Sequence, residues 1–376
     1  IGILKVMKIL LVVDAPGPAE FIAPVIRLLK KKFELQIITV KESPYKILEE
    51  YAPFHCEREE DVEGLYRRLN PDVLLVAMSS LVLGPYVNKR FTELARADGK
   101  KIIAFQDYWA NHRQPQNFAV KGFWDAVLAP DELAKKLMLE DMSADNNFKC
   151  EIVVTGNPAF EKFRNVNVGE ERLRLRDKYA IDDGAIVILY SGQGTPQSFK
   201  ADEITFSFLI STIHEMRSKG ERLALLAHAH PRDEHPERYK ELAQGESLLD
   251  LDIESGLAEG IMPVADTVIS MYSTSLIHAC YLRIPAISII LPNAGGRRLK
   301  TVALDDFPPN LVGASIGVYN DSAEELAKVI KRIADEPAYR LSIREMQEKY
   351  FALPSEPAAK SVSDAIVKFA FSRKLF

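Results

Sequence analysis

Short apolar runs alternate with amphipathic helical patterns along almost the whole chain, and this alternation constrains the fold more than any other feature. The runs are apolar at consecutive positions, which is typical of strands covered by helices on both faces. The sequence therefore predicts an α/β protein with doubly wound parallel sheets. The predicted strands are Ile9–Val13, Leu35–Val40, Val73–Val76, Lys101–Phe105, Ala126–Leu128, Ile152–Val154, Ala185–Leu189, Leu223–Ala227, Thr267–Ser270, Ala286–Ile290 and Ile316–Val318.

A length of 376 residues exceeds one ordinary core and fits two domains. The series of strands pauses near Gly156-Asn157-Pro158, and the polar segment Arg164 to Glu170 is the expected linker. We therefore predict one Rossmann-like domain over residues 1–160 and a second over 161–352. No strand follows residue 352, so residues 353–376 are predicted to form a helix that crosses back to the first domain. The main helical patterns are Ala19–Lys32, Gly84–Ala97, Glu132–Glu140, Glu170–Tyr179, Glu203–Arg217, Ala323–Ala334, Arg340–Tyr350 and Ala358–Phe371.

Composition excludes several classes of function. The net charge is −5, and no basic stripe suggests a nucleic-acid partner. Three scattered cysteines, Cys56, Cys150 and Cys280, give no disulfide framework and favour a reducing cytoplasm. No apolar run approaches the ~18 residues that span a bilayer. The apolar segment ending at Asp14 is predicted to be the first core strand rather than a signal peptide, because no small-residue cleavage site follows it.

Basic residues gather late in the first predicted helix, at Arg27, Lys30, Lys31 and Lys32. They fit a solvated helix end, where the helix dipole favours positive charge. They also fit peripheral contact with a membrane. Membrane association of an otherwise cytoplasmic protein therefore stays open.

The segment from Ala265 to Pro292 predicts the clearest binding site. A strand leads there into a hydroxyl-rich turn, which delivers Ser273, Thr274 and Ser275 to the start of a helix. Hydroxyls and the unpaired N–H groups of a helix start together bind anions, and the natural anion is a phosphate.

Two further strand-to-helix turns carry polar groups. In the first, Gly192 and Gly194 let a phosphate or sugar approach the backbone, while Gln193 and Thr195 can donate hydrogen bonds. A simple turn between strand and helix is the alternative there.

The second turn runs from His228 to His235, and its His230 and Arg232 suit a phosphate or carboxylate. A metal site is the alternative, but the spacing differs from that of metallo-hydrolases, so we predict no metal.

Two loops of the first predicted domain are also candidates. Gly17 and Glu20 follow the first strand, where open α/β sheets bind ligands, although a tight turn explains them equally well. The loop after the fourth strand mixes aromatic and polar groups, a mixture that suits a sugar, with Asp107 as candidate general base. Alternatively, its aromatic residues plug a hinge between the domains. The loop residues are Asp107, Tyr108, Trp109, Asn111 and His112.

In this order and spacing the motifs resemble the two-domain GT-B superfamily of nucleotide-sugar enzymes. PAEFIAPVIRLLKK looks like the first loop and helix of hydrolysing UDP-N-acetylglucosamine 2-epimerases, and TGNPAF is similar to the segment that joins their domains. SGQGT is similar to the glycine loop of the glycosyltransferase that makes lipid II. HPR and STS resemble motifs of bacterial sialyl- and polyol-phosphate transferases.

The resemblance implies a cleft between two domains, with the donor nucleotide on the second and the acceptor or reacting sugar facing the first. Ser273, Thr274 and Ser275 would bind the donor phosphates, and His230 and Gly194 would flank the diphosphate. No metal and no cofactor is implied.

The chain departs from the family pattern at two places. His278 stands where a glutamate would hold the ribose, and Met78-Ser79-Ser80 stands where the epimerases have an acid. The missing acid argues against epimerase chemistry, which needs acid–base groups around the sugar.

We therefore expect a metal-independent glycosyltransferase that uses a nucleotide-activated sugar and a glycan or lipid-linked acceptor, in surface polysaccharide or glycolipid synthesis. Asp107 and His230 would be its catalytic residues. The alternatives are a UDP-N-acetylglucosamine 2-epimerase and a non-catalytic nucleotide-sugar-binding protein of the same fold. The base, the sugar, the acceptor and the oligomeric state, a homodimer included, stay open.

Overall fold

The structure is a computed structural model that describes residues 6–78, 87–109, 111–193, 199–230, 233, 235–243, 248–251, 258–294 and 306–372. The chain forms two compact units, one comprising residues 1–162 and 353–376, the other residues 163–352. Each unit is built on one parallel sheet with helices, so the predicted fold class is confirmed.

The sheet of the first unit has seven strands in the order β3-β2-β1-β4-β5-β6-β7. The chain moves outward from β1 to β3 and then returns to the other side of β1. The carboxyl ends of β1 and β4 therefore mark the point where the strand order reverses, which is where open α/β sheets bind ligands. The strands are β1 (Lys8–Val13), β2 (Glu34–Thr39), β3 (Phe54–His55), β4 (Val73–Ala77), β5 (Lys101–Phe105), β6 (Ala126–Ala129) and β7 (Glu151–Val154).

Neighbouring residues of β1 point into different layers of the first unit. Ile9 and Leu11 pack in one apolar cluster, whereas Leu10 and Val12 pack in another on the opposite face. A strand covered on both faces needs apolar residues at every position, which explains the uninterrupted run. The helices before the second unit are α1 (Pro16–Leu29), α2 (Glu42–Leu48), α3 (Val62–Leu69), α4 (Val87–Ala97), α5 (Pro115–Phe118) and α6 (Glu132–Ala144).

The sheet of the second unit has six strands in the order β10-β9-β8-β11-β12-β13. Its strand order reverses between β8 and β11, which brings their carboxyl ends side by side. The strands are β8 (Ile186–Ser191), β9 (Leu223–His228), β10 (Leu248–Leu251), β11 (Thr267–Ser270), β12 (Ala286–Ile289) and β13 (Ile316–Val318).

Seven helices of the second unit are described, and three of them begin at a side-chain cap. Asn167, in the expected linker, accepts the N–H of Glu170 at 3.3 Å, so the linker already contains the start of a helix. The helices are α7 (Val168–Lys178), α8 (Phe199–Ser218), α9 (Arg238–Ala243), α10 (Thr274–Tyr281), α11 (Pro308–Leu311), α12 (Ala323–Asp335) and α13 (Pro337–Phe351).

The last helix, α14 (Ala358–Phe371), belongs to the first unit, as predicted. Val362, Ile366 and Phe369 are buried in the same apolar cluster as Ile9 and Leu11. Lys101, at the start of β5, donates to the carbonyl groups of Phe369 and Ala370 at 2.8 and 3.0 Å. The C-terminal helix is therefore part of the first core.

The basic end of α1 is partly neutralised within its own unit. Arg27 pairs with Glu50 at 2.9 Å, Lys32 lies 3.5 Å from Asp364, and Lys30 lies over the ring of Tyr51. Membrane contact at this helix end stays a prediction. Among the described residues, no helix has both the length and the apolar character needed to cross a bilayer.

Candidate functional site

The carboxyl ends of β8 and β11 are joined by hydroxyl groups. The Ser191 hydroxyl lies 2.7 Å from that of Ser275, and the Ser270 hydroxyl donates to the Ser191 carbonyl group at 2.6 Å. Two turns that are separated by some eighty residues in sequence thus form one polar surface where the strand order reverses.

Ser273 is the N-cap residue of α10. Its backbone is extended, and its side chain accepts the N–H of Ser275 at 3.2 Å. Thr274 is exposed, while Ser273 and Ser275 are half-buried. The predicted hydroxyl triplet therefore stands at a helix start, where the positive end of the helix dipole attracts an anion.

Gly192 and Gln193 complete this surface from the end of β8. The Gly192 N–H donates to the His228 carbonyl group at 2.9 Å, and a Cβ at Gly192 would lie 1.9 Å from the Tyr239 hydroxyl oxygen. Only glycine fits there. The Gln193 side chain reaches the Ser270 hydroxyl at 3.3 Å, so it faces the hydroxyl surface. Gly194 and Thr195 lie outside the described residues.

A buried network that the sequence analysis missed holds this turn in place. Asp202 of α8 accepts the Gln193 N–H at 3.0 Å and the hydroxyl groups of Tyr190 and Tyr239 at 2.7 and 2.5 Å. Arg238 donates to the same carboxylate at 2.9 Å. Burial raises the pKa of Asp202 to about 6, although these hydrogen bonds act in the opposite direction. A local sequence motif cannot indicate this network, because its members come from a strand and two helices that are far apart in the sequence.

The two predicted histidines lie in different surroundings. His230 follows β9, is half-buried, and its carbonyl group accepts the Asp233 N–H at 2.8 Å. Arg232 lies outside the described residues. His278 lies one turn beyond Thr274 in α10, with its ring centroid 5.1 Å from that of Phe163. Among the described His, Cys, Asp and Glu side chains, no group of three or more could hold a metal ion.

In the first unit, Asp107 follows β5 and is approached by the first turn of α1 and by Asn111. Asn111 donates to Asp107 at 3.0 Å, and a Cβ at Gly17 would lie 2.0 Å from an Asp107 carboxylate oxygen. Burial, and after it the charges of Asp14 and Glu20, raise the pKa of Asp107 to about 7, against hydrogen bonds from its own N–H and Asn111. This carboxyl group therefore holds its proton more tightly than an ordinary aspartate does. Glu20 itself is exposed.

The other residues of this loop lie deeper in the fold than the sequence analysis expected. Trp109 is 2% exposed, and its indole N–H lies 3.1 Å from both carboxylate oxygens of Asp131, which caps α6. His112 is 1% exposed and bonds to Asp141 at 2.5 Å, while Tyr108 is half-buried against Trp109. The indole of Trp109 and the imidazole of His112 have no exposed face for a sugar, so we build the proposed site without them.

Three solved structures illustrate the folds to which this chain is similar. The S. aureus MnaA–UDP structure has a TM-score of 0.63 at 15% identity, and the match covers 96% of both chains. A Rickettsia africae glycosyltransferase has a TM-score of 0.58 at 17% identity, and the match covers 98% of this chain and 100% of that one. The wall teichoic acid polymerase TagF, in a structure with CDPG, has a TM-score of 0.54 at 13% identity, with 96% and 88% covered. At these identities the likeness concerns the fold alone.

No curated protein matches this sequence. The family model for CDP-glycerol:poly(glycerophosphate) glycerophosphotransferase matches residues 101–368, which include Asp107, the three turns of the second unit and most of α14. The chain therefore belongs to the CDP-glycerol:poly(glycerophosphate) glycerophosphotransferase family and is an enzyme with the GT-B fold.

Proposed function

We propose that this protein transfers glycerol phosphate, or a closely related polyol phosphate, from a CDP-activated donor to a hydroxyl group of a phosphodiester polymer. The observation that carries the proposal is the joined hydroxyl surface of Ser191, Ser273 and Ser275, which lies within the segment matched by the family model. A donor of this class presents a diphosphate, and this surface suits a diphosphate in charge and in hydrogen-bonding groups.

From the sequence we expected a sugar as the transferred group. The family description favours a polyol phosphate instead, and this changes which bond breaks. The acceptor oxygen attacks the phosphorus that carries the glycerol, the bond from that phosphorus to the CMP oxygen breaks, and CMP leaves. We also propose that the transfer needs no metal ion. His230, Arg232 and the start of α10 would stabilise the negative charge on the departing phosphate instead.

In the first unit we assign Asp107 the role of general base, which takes the proton of the acceptor hydroxyl. Its pKa of about 7 suits this role, because a base near the working pH is both available and strong enough. Gly17 and Asn111 would position its carboxylate.

Release of CMP from CDP-glycerol, measured by chromatography with a glycerol phosphate oligomer as acceptor, tests this function. We expect release that depends on the acceptor and continues when EDTA is present. A thermal-shift comparison of CMP, CDP, UDP, GDP and dTDP should favour the cytidine nucleotides. A shift with UDP alone would contradict the proposed donor, and loss of activity in EDTA would contradict metal independence.

An epimerase acting on UDP-N-acetylglucosamine is the second candidate. The grouping of Asp14 and Glu20 around Asp107 favours it, since such chemistry needs acid–base groups around a sugar. Incubation with UDP-N-acetylglucosamine and NMR of the product distinguishes the two, because a glycerophosphotransferase leaves this compound unchanged.

A further inference from the structure

Arginine side chains line a groove at the amino-terminal edge of the second sheet. A cavity of about 200 Å³ lies beside the residues just before β11 and β12. Its lining includes three arginines, Arg172, Arg340 and Arg344, and one acidic residue, Asp266. A neighbouring cavity of about 500 Å³ shares three of its lining residues and adds Arg283. The two cavities therefore form one groove, which we call the arginine groove.

The acid in the arginine groove is already occupied. One carboxylate oxygen of Asp266 accepts a hydrogen bond from the Arg172 guanidinium, and the other accepts one from the Val187 N–H at 2.8 Å. Arg283 pairs with Glu348 at 2.7 Å. Two of the four arginines, Arg172 and Arg283, are therefore each paired with a carboxylate.

Arg340 and Arg344 donate to backbone carbonyl groups instead. Arg340 donates to the Ile333 carbonyl group at 2.7 Å and also to that of Ala334. Arg344 donates through Nε to the Arg283 carbonyl group at 3.1 Å. Within the described part of the chain, neither of the two forms an ion pair with a carboxylate. Counting the residues that the structure describes, the groove therefore carries more positive than negative charge.

The spacing of these two arginines adds to the imbalance. Arg340 and Arg344 lie four residues apart on α13, where like charges repel. Burial, then the charges of Arg340 and Arg172, lower the pKa of Arg344. The start of α7, with its positive helix end, borders the same groove at Val168. An anion that accepts hydrogen bonds from several guanidinium groups would relieve this repulsion, and phosphate matches their geometry.

We propose that the arginine groove is a second phosphate-binding site, separate from the donor site. β11 has four residues, so the two edges of the sheet lie about 13 Å apart. The ligand chemistry is a phosphate oxyanion, which either a small inorganic anion or a phosphodiester polymer can supply. The existence of the groove site does not depend on the proposed function, whereas a polymer as its ligand does.

Calorimetric titration of the full chain tests the groove, with inorganic pyrophosphate and a glycerol phosphate oligomer as separate probes. We expect Arg340→Gln with Arg344→Gln to weaken binding roughly tenfold or more, since charge-assisted hydrogen bonds are lost. Arg344→Gln alone, which removes one internal hydrogen bond, serves if the double variant fails to fold. Arg174→Gln on α7, whose side chain pairs with Glu171 at the surface, is the matched control and should bind as the wild type does.

A variant with Ser273→Ala and Ser275→Ala separates the two sites. The proposal requires that this variant still binds one of the probes at the groove. Tighter binding of the oligomer than of pyrophosphate identifies the polymer as the ligand, and equal or weaker binding identifies a small anion. The proposal is overturned if neither probe binds, if the arginine variants bind normally, or if the serine variant loses all binding. Failure of CMP release with retained groove binding would reject only the proposed function.

Discussion

Asp107 shows how residues from separate parts of the chain set the chemistry of one carboxyl group. Gly17 allows the first turn of α1 to approach it closely, and Asn111 donates to it from four residues further along the chain. The burial and the negative neighbours that result raise its pKa to about 7. The sequence predicted Asp107 as a candidate base from its loop, but its pKa depends on contacts that only the fold creates.

Replacing Asp107 with Asn should reduce turnover roughly 10²- to 10⁴-fold, because the base is lost while the amide can still accept from Asn111. Wild-type turnover should fall below about pH 7, where the carboxyl group is protonated. A pH profile of CMP release measures both effects. Unchanged turnover of this variant would remove Asp107 from the mechanism.

Asp107→Asn, although it should reduce turnover, should increase the stability of the protein at high pH. The folded pKa of about 7 exceeds the ordinary value of 3.8, so the folded protein binds this proton more tightly than the unfolded chain. That stabilisation is complete below about pH 4 and is lost as the pH rises through 7. Since Asn does not ionise, the variant should have a higher Tm than the wild type at pH 8 in thermal unfolding.

Gly17→Ala should reduce turnover with little loss of fold, because the new Cβ would meet the Asp107 carboxylate at 2.0 Å and displace it. Gly64→Ala is the control, since a Cβ at Gly64 in α3 meets nothing within 4 Å. It should stabilise the protein by about 0.5–1 kcal/mol and leave turnover unchanged. Equal turnover in the two variants would contradict the positioning role of Gly17.

At the scale of the element, two helices with the same kind of cap allow a matched comparison. Ser273 caps α10 and Ser322 caps α12, where it accepts the Glu325 N–H at 3.3 Å. Replacing either with Ala should cost about 1 kcal/mol of stability. Only Ser273→Ala should also weaken nucleotide binding in calorimetry, because only that cap faces the proposed donor phosphates. Equal nucleotide affinity of both variants would place the phosphates elsewhere.

The network around Asp202 predicts a link between packing and binding. Tyr239→Phe removes the hydroxyl group that bonds to Asp202 at 2.5 Å, and it should cost about 1–3 kcal/mol because a buried oxygen loses a partner. The Gly192–Gln193 turn then loses support, so nucleotide affinity should fall as well. Tyr350→Phe, on α13 and outside this network, is the control for both measurements. Normal affinity in Tyr239→Phe would show that the turn keeps its shape without it.

The strands that the sequence analysis missed are both at sheet edges. β3 has two exposed residues, Phe54 and His55, and β10 contains Leu248–Leu251. An edge strand is short and is not covered on both sides, so it lacks the continuous apolar run that identifies the central strands. The eleven predicted strands, by contrast, all lie within two residues of an observed one at each end.

For the whole molecule, the sequence predicted the turns of the second unit better than the network that supports them. Ser273 and Gln193 stand in local motifs, which sequence patterns can show. Asp202 and Arg238 meet through folding alone, and the burial of Trp109 depends on Asp131 at the start of another helix. Long-range pairs of this kind leave no periodic signal.

Because each unit has its own hydrophobic core, we expect a core mutation in one unit to leave the unfolding of the other unchanged. Ile366→Ala in α14 should cost about 2–5 kcal/mol, because it leaves a cavity in the core of the first unit. Scanning calorimetry should then show a lower transition for that unit and an unchanged one for residues 163–352. Ala359→Ser, at a partly buried position of the same helix, is a mild control. A common shift of both transitions would show that the units unfold together.

The return of α14 also sets the order of events during synthesis on the ribosome. The first unit lacks Val362, Ile366 and Phe369 until the residues after 358 emerge. At the usual rates of translation, this delay after residue 162 lasts about ten seconds or more. The segment translated later, residues 163–352, therefore completes its own core first, and the nascent N-terminal half waits with apolar surface that chaperones can bind.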